Sequence, residues 1–376
     1  MVNPETAIGR RESSFNWREA LESSLTILVP LAAVLLAFVV GALIILAKGV
    51  NPLEAYAALF KGAFGSLDSI GTTIRKATPL LLTGLAVVFG YRGGVFNIGA
   101  EGQLILGGMA ATAVGIRLQG APVWLHVTLC ILAAMAAGSL WSLLPGALKA
   151  FRGFNEVITT LMMNYIAVQV LAWSVRQETV TGGTWQLWKY LGLKDPTQPF
   201  AKSATIFDSA QLPVLWDQMR LNLGAVIAIL AAIFVFIILW RTAFGFAVRT
   251  VGSNPRAAKY AGIRVSRTML MTMLISGMLA GLAGGVEIMG NQGRIIAGFL
   301  INAGFDGIPV ALVGQLHPFG AMLSALFFGG LRAGSNTMQI MVGVPISLIY
   351  ILQALAILFA IAGASVNLRG RLARPK

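Results

Sequence analysis

The chain contains little charge and many apolar residues. Charged residues make up 11% of its 376 positions, hydrophobic residues make up 57%, and the mean hydropathy is +0.78. Soluble globular domains usually carry about 25% charged residues. The composition therefore excludes an ordinary soluble domain and indicates a membrane protein.

Cysteine and histidine are nearly absent. Cys130 is the single cysteine, so no disulfide can form within the chain and no cysteine-based metal framework is possible. His126 and His317 are the two histidines, and they lie far apart in the sequence. We therefore expect no metal site, no catalytic residues and no cofactor bound by this chain.

Sequence motifs for nucleotide binding and for hydrolysis are also missing. No Gly-Lys dipeptide occurs, which excludes a Walker A loop, and neither G-x-S-x-G nor H-E-x-x-H is present. An energy-using function would need another subunit. The net charge is +14, but the Lys and Arg residues are spread along the chain. A nucleic-acid-binding domain would cluster them, so we expect no nucleic-acid partner and assign the cations to loops beside anionic lipid.

Long apolar runs dominate the chain. About 20 apolar residues are needed for a helix to cross the hydrocarbon, and this length predicts an all-α integral membrane protein of about ten helices, some short or broken. The predicted spans are 24–47, 72–90, 97–117, 121–145, 154–175, 219–240, 268–288, 296–315, 318–333 and 344–363. Residues 48–71 form an outer segment with a possible amphipathic helix.

The distribution of cations predicts the orientation. Ten spans place both termini on one side, and loop 241–267, which has six Lys and Arg but no acidic residue, falls on that side too. By the positive-inside rule this side is cytoplasmic. We thus predict a tail at 1–23, one transmembrane domain at 24–363 with an outer loop at 176–218, and a second cytoplasmic tail at 364–376.

Polar residues interrupt the third span in "GGVFNIGAEGQLILGG". On a helix, Asn97 and Glu101 share one face, and Gly99, Gln103 and Gly107 share the neighbouring face. Broken backbone within a membrane is tolerated only inside protein or beside a water-filled cavity. Glu101 is either an interhelical hydrogen-bonding residue or part of a translocation path, since intramembrane carboxylates often mark such paths.

Two further polar stripes are candidates for the path. Thr160 and Asn164 follow Glu156 at four-residue steps, and Glu287 shares a face with Asn291. The second stripe has two interpretations. Its residues have a gating role, or Arg294 forms an ion pair with Asp306 or Glu287. Close helix packing is predicted where small residues recur at i, i+4 spacing, namely at Gly99, Gly107, Gly277, Gly281 and Gly285.

The loop at 241–267 contains the signals for a short helix. Asn254 is a good N-cap, Pro255 suits the first turn and Gly262 suits the stop. A helix of two turns is unstable alone, so we expect a partner protein to dock on it; the alternative is a helix lying on anionic lipid. The residues of this predicted docking helix are Asn254, Pro255, Arg256, Ala257, Lys259, Tyr260 and Gly262.

Four motifs in this order resemble those of one family: "GGVFNIGAEGQLILGG", "FNEVITTLMMNYIA", "GSNPRAAKYAGI" and "GFDGIPVALVGQLHPFG". They resemble the permease subunits of bacterial ABC importers for purine and other nucleosides, within the wider group of simple-sugar and branched-chain amino-acid permeases. The resemblance covers about residues 24 to 363, and "NIGAEGQ" favours the nucleoside branch over the ribose branch.

The resemblance implies an assembly in the bacterial cytoplasmic membrane. It implies a second, related permease subunit in a heterodimer and a separate ATPase, often with tandem nucleotide-binding domains, that binds ATP and magnesium. It also implies an extracytoplasmic substrate-binding protein, and it makes Asn254 to Gly262 the coupling helix to the ATPase. The alternatives are a permease for a simple sugar such as ribose, a secondary transporter driven by a proton or sodium gradient, and, least favoured, a membrane-embedded enzyme.

Overall fold

The computed structural model describes residues 32, 34–176, 192–195, 197, 199–299, 302–345 and 347–372. Most of them are helical. The helices are α1 Val34–Ala47, α2 Pro52–Phe64, α3 Leu67–Arg92, α4 Ala100–Gly115, α5 Val123–Arg152, α6 Glu156–Ser174, α7 Leu223–Arg241, α8 Ala243–Ser253, α9 Pro255–Tyr260, α10 Val265–Glu287, α11 Gly307–Val313, α12 Pro318–Val342 and α13 Ser347–Leu372. A π-helical turn, Ile288–Gln292, extends α10.

Five of the described helices are long and apolar enough to cross a membrane: α3, α5, α6, α7, and α10 with its π-helical turn. They match five of the ten predicted spans. Helices α1 and α2 meet at 120° and together make a sixth candidate. Part of the predicted span 24–47 and the tail 1–23 lie outside the described residues, as does the central part of the predicted outer loop, 177–191.

The prediction of a continuous helix over 296–315 is wrong, and the helix predicted over 97–117 begins three residues later than expected. Residues 95–98 are not helical and α4 begins only at Ala100, after three glycines that weaken helix formation. In the later segment, turns over 297–299 and 302–306 precede α11, which has seven residues. Each segment therefore combines irregular backbone with a short helix, an arrangement that membranes tolerate only where protein encloses it.

The helix ends follow the chemistry of capping. The side chains of Asn51, Asn155, Asn222 and Asn254 each accept a hydrogen bond from a backbone N–H in the first turn of the helix that follows. Asn51 begins α2, so the amphipathic helix expected in the outer segment is present. Its apolar face, which includes Ala55 and Leu59, is buried against α12.

The centre of the molecule is built around α10, which packs against α3, α4 and α5. Here glycine permits close approach: a Cβ on Gly281 would lie 2.9 Å from the Cα of Gly138 in α5, and a Cβ on Gly107 in α4 would also collide with Gly281. Gly277 faces Ser142, and Gly285 faces Ala134. Small residues thus bring three helix backbones together where lipid provides no hydrophobic driving force.

The two ends of the helical bundle differ. At one end, called the loop end, lie α8, α9 and the turn at 314–317 that joins α11 to α12. At the other, called the hairpin end, β1 (Val214–Trp216) pairs with β2 (Leu221–Asn222) in an antiparallel hairpin. The side chain of Asn222 donates to the carbonyl of Gly290 at 2.6 Å, which ties this hairpin to the end of α10.

Candidate functional site

The irregular segment before α4 is held by a closed network of buried side chains. The amide of Asn97 donates to Gln103 Oε1 and to Ser276 Oγ, both at 2.8 Å, while its oxygen accepts from Gln103 Nε2 and from the backbone of Gly99. Ser276 in turn donates to the carbonyl of Ala86. Asn97 is only 2% exposed and both hydrogens of its amide are paired, so the network fixes the backbone.

Asn164 joins α6 to the same segment. Its oxygen accepts from the Gly102 N–H at 2.9 Å, and its nitrogen donates to the Ile98 carbonyl at 2.9 Å. The polar face of α6 therefore contacts the segment through its backbone. Thr160 instead donates to the Glu156 carbonyl within its own helix, and Glu156 forms an ion pair with Lys149 at 2.7 Å.

Glu101 connects α4 to the irregular turn before α11. Its two carboxylate oxygens accept backbone hydrogen bonds, at 2.8 Å from the N–H of Asn302 and at 2.6 Å from that of Gly304. Thr83 of α3 donates to the carbonyl of Ala303 in the same turn. Because the carboxylate supplies acceptors to N–H groups that lack helical partners, its position explains how a turn persists inside the bundle.

The helix-face geometry predicted for the opening motif needs correction. Asn97 lies before the helix begins, so it does not share a helical face with Glu101. Gly99 occupies the N-cap position of α4 rather than a place in a helix–helix ladder, and a Cβ there would lie 3.1 Å from atoms of Asn97, Gln103 and Thr160. The prediction from sequence spacing assumed a continuous helix. The glycines at 93, 94 and 99 interrupt that helix.

A polar cavity of about 390 Å³ lies nearer the hairpin end. Of the predicted path residues, Glu287 and Asn291 line this cavity. The others do not, and belong to the closed network or to the Glu101 contact. Helix α3, the end of α10 and helix α12 enclose the cavity. Its lining residues are Thr72, Arg75, Lys76, Pro79, Glu287, Asn291, Gln292 and Arg332.

The charges around this cavity are unequally paired. Glu287 accepts from Asn291 Nδ2 at 2.6 Å and from Gln292 Nε2 at 3.3 Å, and its charge interacts with those of Lys76 and Arg75. Arg332 forms an ion pair with Asp306. The expected alternative pairing of Asp306 with Arg294 is therefore wrong, because Arg332 approaches Asp306 from α12.

Sequence reasoning missed the cations of the cavity. Arg75 and Lys76 lie inside the predicted span 72–90, and Arg332 lies inside the predicted span 318–333. Ionisable residues within membrane spans are costly and face the bundle interior or a water-filled cavity. If that rule is applied to cations as well as to carboxylates, it predicts that these three residues face the bundle interior or a cavity.

The predicted short helix in the cation-rich loop is present as α9. Asn254 Oδ1 accepts from the N–H groups of Arg256 and Ala257 at 3.0 and 3.1 Å, and Gly262 follows with a φ of +78°. Ala258 is fully buried and anchors the helix, whereas Tyr260 is 93% exposed. The exposed surface consists of Pro255, Arg256, Ala257, Lys259, Tyr260, Ala261 and Gly262.

An aromatic cluster links this loop to the rest of the bundle at the loop end. The guanidinium groups of Arg92 and Arg249 lie 5.5 and 5.8 Å from the ring of Trp240, and the His317 ring lies 5.0 Å from it. Arg92 also donates to the Leu316 carbonyl at 3.0 Å. The cluster thus connects α8 with the turn that leads from α11 into α12.

Comparison with known proteins gives relatives over most of the chain. It is 40% identical to the guanosine ABC transporter permease protein NupP of Bacillus subtilis, covering 91% of this chain and 94% of NupP. It is 35% identical to the nucleoside ABC transporter permease protein NupB of Lactococcus lactis, covering 89% and 90%. It is also 35% identical to the glucose ABC transporter permease protein TsgB13 of Haloferax volcanii, covering 88% and 86%. No solved structure matches the chain.

The same bacteria each contribute a second relative. These are the guanosine ABC transporter permease protein NupQ of Bacillus subtilis, 32% identical over 69% of this chain, and the nucleoside ABC transporter permease protein NupC of Lactococcus lactis, 27% identical over 67%. Residues 69–361 also match the model of a transport family. The chain therefore belongs to the family described as branched-chain amino acid transport system / permease component.

Proposed function

We propose that this chain is a permease subunit of an ATP-driven importer and forms part of the translocation path for nucleosides, with purine nucleosides favoured. The observation that carries the proposal is similarity over about nine tenths of the chain to permeases named for guanosine and for nucleosides. The polar cavity supports it, because about 390 Å³ falls in the range of small-molecule sites.

The proposed topology keeps the ten predicted crossings. The segments 93–115 and 295–317 each cross once as irregular backbone joined to a short helix, and α12 and α13 supply the ninth and tenth crossings. Both termini and the loop end are then cytoplasmic, and the cavity lies toward the outer face. The six cations and absent carboxylates of 241–267 support this orientation.

The proposed assembly contains four kinds of component in the bacterial cytoplasmic membrane. The paired relatives NupP with NupQ and NupB with NupC support a second, related permease subunit. A separate ATPase, which we expect to carry tandem nucleotide-binding domains, would bind ATP and magnesium and receive α9. An extracytoplasmic binding protein would deliver the substrate to the cavity side.

The proposed path residues divide by location. Glu287 and Asn291 line the cavity and would contact substrate or its water. The other predicted path residues, Asn97, Glu101, Gln103, Thr160 and Asn164, would shape the path by holding irregular backbone. This division accounts for a polar third span in a transporter of neutral solutes, because none of those five side chains needs to touch the solute.

The test is uptake by the complete importer reconstituted in vesicles without any ion gradient. We expect accumulation of labelled guanosine or inosine that requires ATP, this chain and the binding protein, and that stops when the Walker A lysine of the ATPase is replaced. Uptake that continues without ATP and collapses with an uncoupler would instead support a gradient-driven transporter.

A sugar permease is the second candidate, since the relative TsgB13 is named for glucose. The same vesicles distinguish the two functions. Competition by unlabelled glucose or ribose at concentrations where nucleosides compete poorly would favour the sugar. We expect the reverse order.

A further inference from the structure

Two arginines meet at the loop end without an anionic partner. Arg92, the last residue of α3, and Arg249 of α8 place their guanidinium groups 5.5 and 5.8 Å from the centre of the Trp240 ring. The charge of Arg249 acts on that of Arg92, and like charges repel. Among the described residues, neither arginine forms a salt bridge. The described part of the chain therefore supplies no anion to this pair.

The hydrogen bonding of the pair is also incomplete. Arg92 donates from its Nε to the Leu316 carbonyl, whereas Arg249 makes no hydrogen bond within the described part of the chain. Both residues are half-buried, so part of each remains open to an external group. Guanidinium groups carry several donors and form their strongest hydrogen bonds with oxyanions. The arrangement therefore predicts a bound oxyanion at the loop end.

The pair lies where the surface of the membrane is expected. Helices α3 and α7 are both long and apolar enough to span a membrane, and they end at Arg92 and at Arg241, which follows Trp240. Tryptophan is enriched at the boundary of membrane and water, and basic pockets between helices bind anionic lipid head groups. Ile237, one turn before Trp240, and Phe319 are exposed apolar residues. Apolar surface therefore adjoins the two cations.

We propose that an anionic phospholipid binds at this place, with its phosphate between Arg92 and Arg249 and its acyl chains along the apolar surface of α7. A phosphodiester carries one negative charge and two unbridged oxygens, one for each guanidinium group. The exposed Ile237 and Phe319 favour a lipid over free phosphate, which has no apolar part to cover them. The position at the ends of two spans favours a lipid over an acidic side chain of a soluble partner.

The bound lipid would stabilise the turn that joins α11 to α12. Gln315 and Leu316 in this turn both have a φ of +54°, a left-handed conformation that residues other than glycine adopt at a cost. Arg92 holds the turn through its hydrogen bond to the Leu316 carbonyl, at 3.0 Å. A phosphate that fixes the Arg92 side chain should therefore raise the thermal stability of the protein.

The experiment measures the binding of dioctanoylphosphatidylglycerol to the intact complex that is purified with this chain in mild detergent. Native mass spectrometry gives the Kd, the thermal midpoint is read in parallel, and dioctanoylphosphatidylcholine is the zwitterionic reference. The variants are Arg249→Gln and Arg249→Lys, because Arg249 has no hydrogen bond among the described residues for the change to break. The matched control is Arg241→Gln, since Arg241 is an exposed arginine at the same end, and the cations over the Trp240 ring are Arg92 and Arg249.

We expect Arg249→Gln to weaken phosphatidylglycerol binding by at least about tenfold, the lower range for a hydrogen bond to a charged group, and to remove the stabilisation. Arg249→Lys keeps the charge but loses the planar fork, so its loss should be smaller. Arg241→Gln should lose less than about fivefold, the effect of one cation near an anionic surface. Equal losses in Arg241→Gln and Arg249→Gln would overturn the proposal, because they would indicate attraction by net charge alone.

Three further outcomes would also overturn the proposal. The first is equal affinity of the unchanged complex for the two lipids. The second is displacement of the lipid by inorganic phosphate at equal concentration, which would assign the arginines to a free anion. The third is unchanged lipid binding by Arg249→Gln with loss of a soluble subunit from the complex, which would assign them to an acidic side chain of that subunit.

A second variant covers the case in which neither Arg249 variant assembles. Trp240→Leu removes the ring that both guanidinium groups contact and keeps an apolar side chain at the end of α7. We expect it to weaken phosphatidylglycerol binding while its affinity for phosphatidylcholine stays the same. An unchanged affinity for phosphatidylglycerol would overturn the proposal.

Discussion

The buried network around Asn97 and the polar cavity around Arg75 place similar side chains in opposite situations. In the network, Asn97, Gln103 and Asn164 find partners for their amides within the protein. In the cavity, Arg75 makes one side-chain hydrogen bond among the described residues, to Thr72, and its Nε has no partner there. The difference teaches that a polar residue inside a membrane domain indicates a ligand only when its hydrogen-bonding capacity exceeds what the protein supplies.

Glu101 illustrates the same distinction for a carboxylate. Its oxygens bind the backbone N–H groups of residues 302 and 304, so they act as a structural acceptor between two irregular segments. Glu287 is also occupied, by Asn291 and Gln292, but it lies at the cavity wall. In the proposed path, the network would hold backbone and the cavity would face the solute.

The largest effect on folding is expected at the central glycines. Gly281→Leu would drive a side chain into the backbones of α4 and α5, since even a Cβ lies 2.9 Å from the Gly138 Cα. We expect almost no assembled permease, measured as monodisperse protein after mild solubilisation. Leu279→Ala, which removes buried bulk from the same helix without a clash, is the control and should assemble. Good yield of Gly281→Leu with altered substrate preference would contradict the packing role.

A smaller but clear loss is expected for Glu101→Ala. The change leaves two N–H groups in the 302–304 turn without acceptors, at about 1–3 kcal/mol for each buried group. We expect lower thermal stability and damaged uptake. Glu101→Gln keeps one good acceptor and should be mild in vesicles without an ion gradient. Loss of uptake by Glu101→Gln with normal stability would instead support proton coupling. Full activity of both variants would show that transport does not need Glu101.

No effect on folding is expected for Ala257→Arg, because Ala257 lies on the exposed surface of α9. We expect stability and binding-protein affinity to be unchanged while ATP-driven uptake is lost, because the new charge would obstruct docking of the ATPase. Arg267→Ala, an exposed change in the first turn of α10, is the control. Normal uptake and normal ATPase association in Ala257→Arg would refute this docking face.

Local signals predicted much of the fold. Asn254, Pro255 and Gly262 predicted α9 because capping and stopping depend on neighbouring residues alone. The five longest apolar helices followed from length and hydropathy. The irregular turn before α11 was not predicted, because the partner that satisfies its backbone comes from elsewhere in the chain: Glu101 is about 200 positions from the turn that it holds.

The site was predicted less completely than the fold. Glu287 and Asn291 were expected on a polar face and do line the cavity. Arg75, Lys76 and Arg332 were missed, because each sits in an apolar run and helical periodicity does not reveal that α3, α10 and α12 bring them together. Which polar residues keep free donors depends on these tertiary pairings, and no spacing rule in the sequence encodes them.

The most direct test of the contrast between network and cavity is to measure stability and uptake together for Asn164→Ala and Asn291→Ala. We expect Asn164→Ala to lower thermal stability and uptake in parallel, because the Gly102 N–H and the Ile98 carbonyl lose their partner. We expect Asn291→Ala, at an exposed position on the cavity wall, to lower stability less, because Glu287 keeps Gln292 as a partner, and to raise the KM for nucleoside uptake. A stable Asn164→Ala with a raised KM, or an unstable Asn291→Ala with an unchanged KM, would contradict the account.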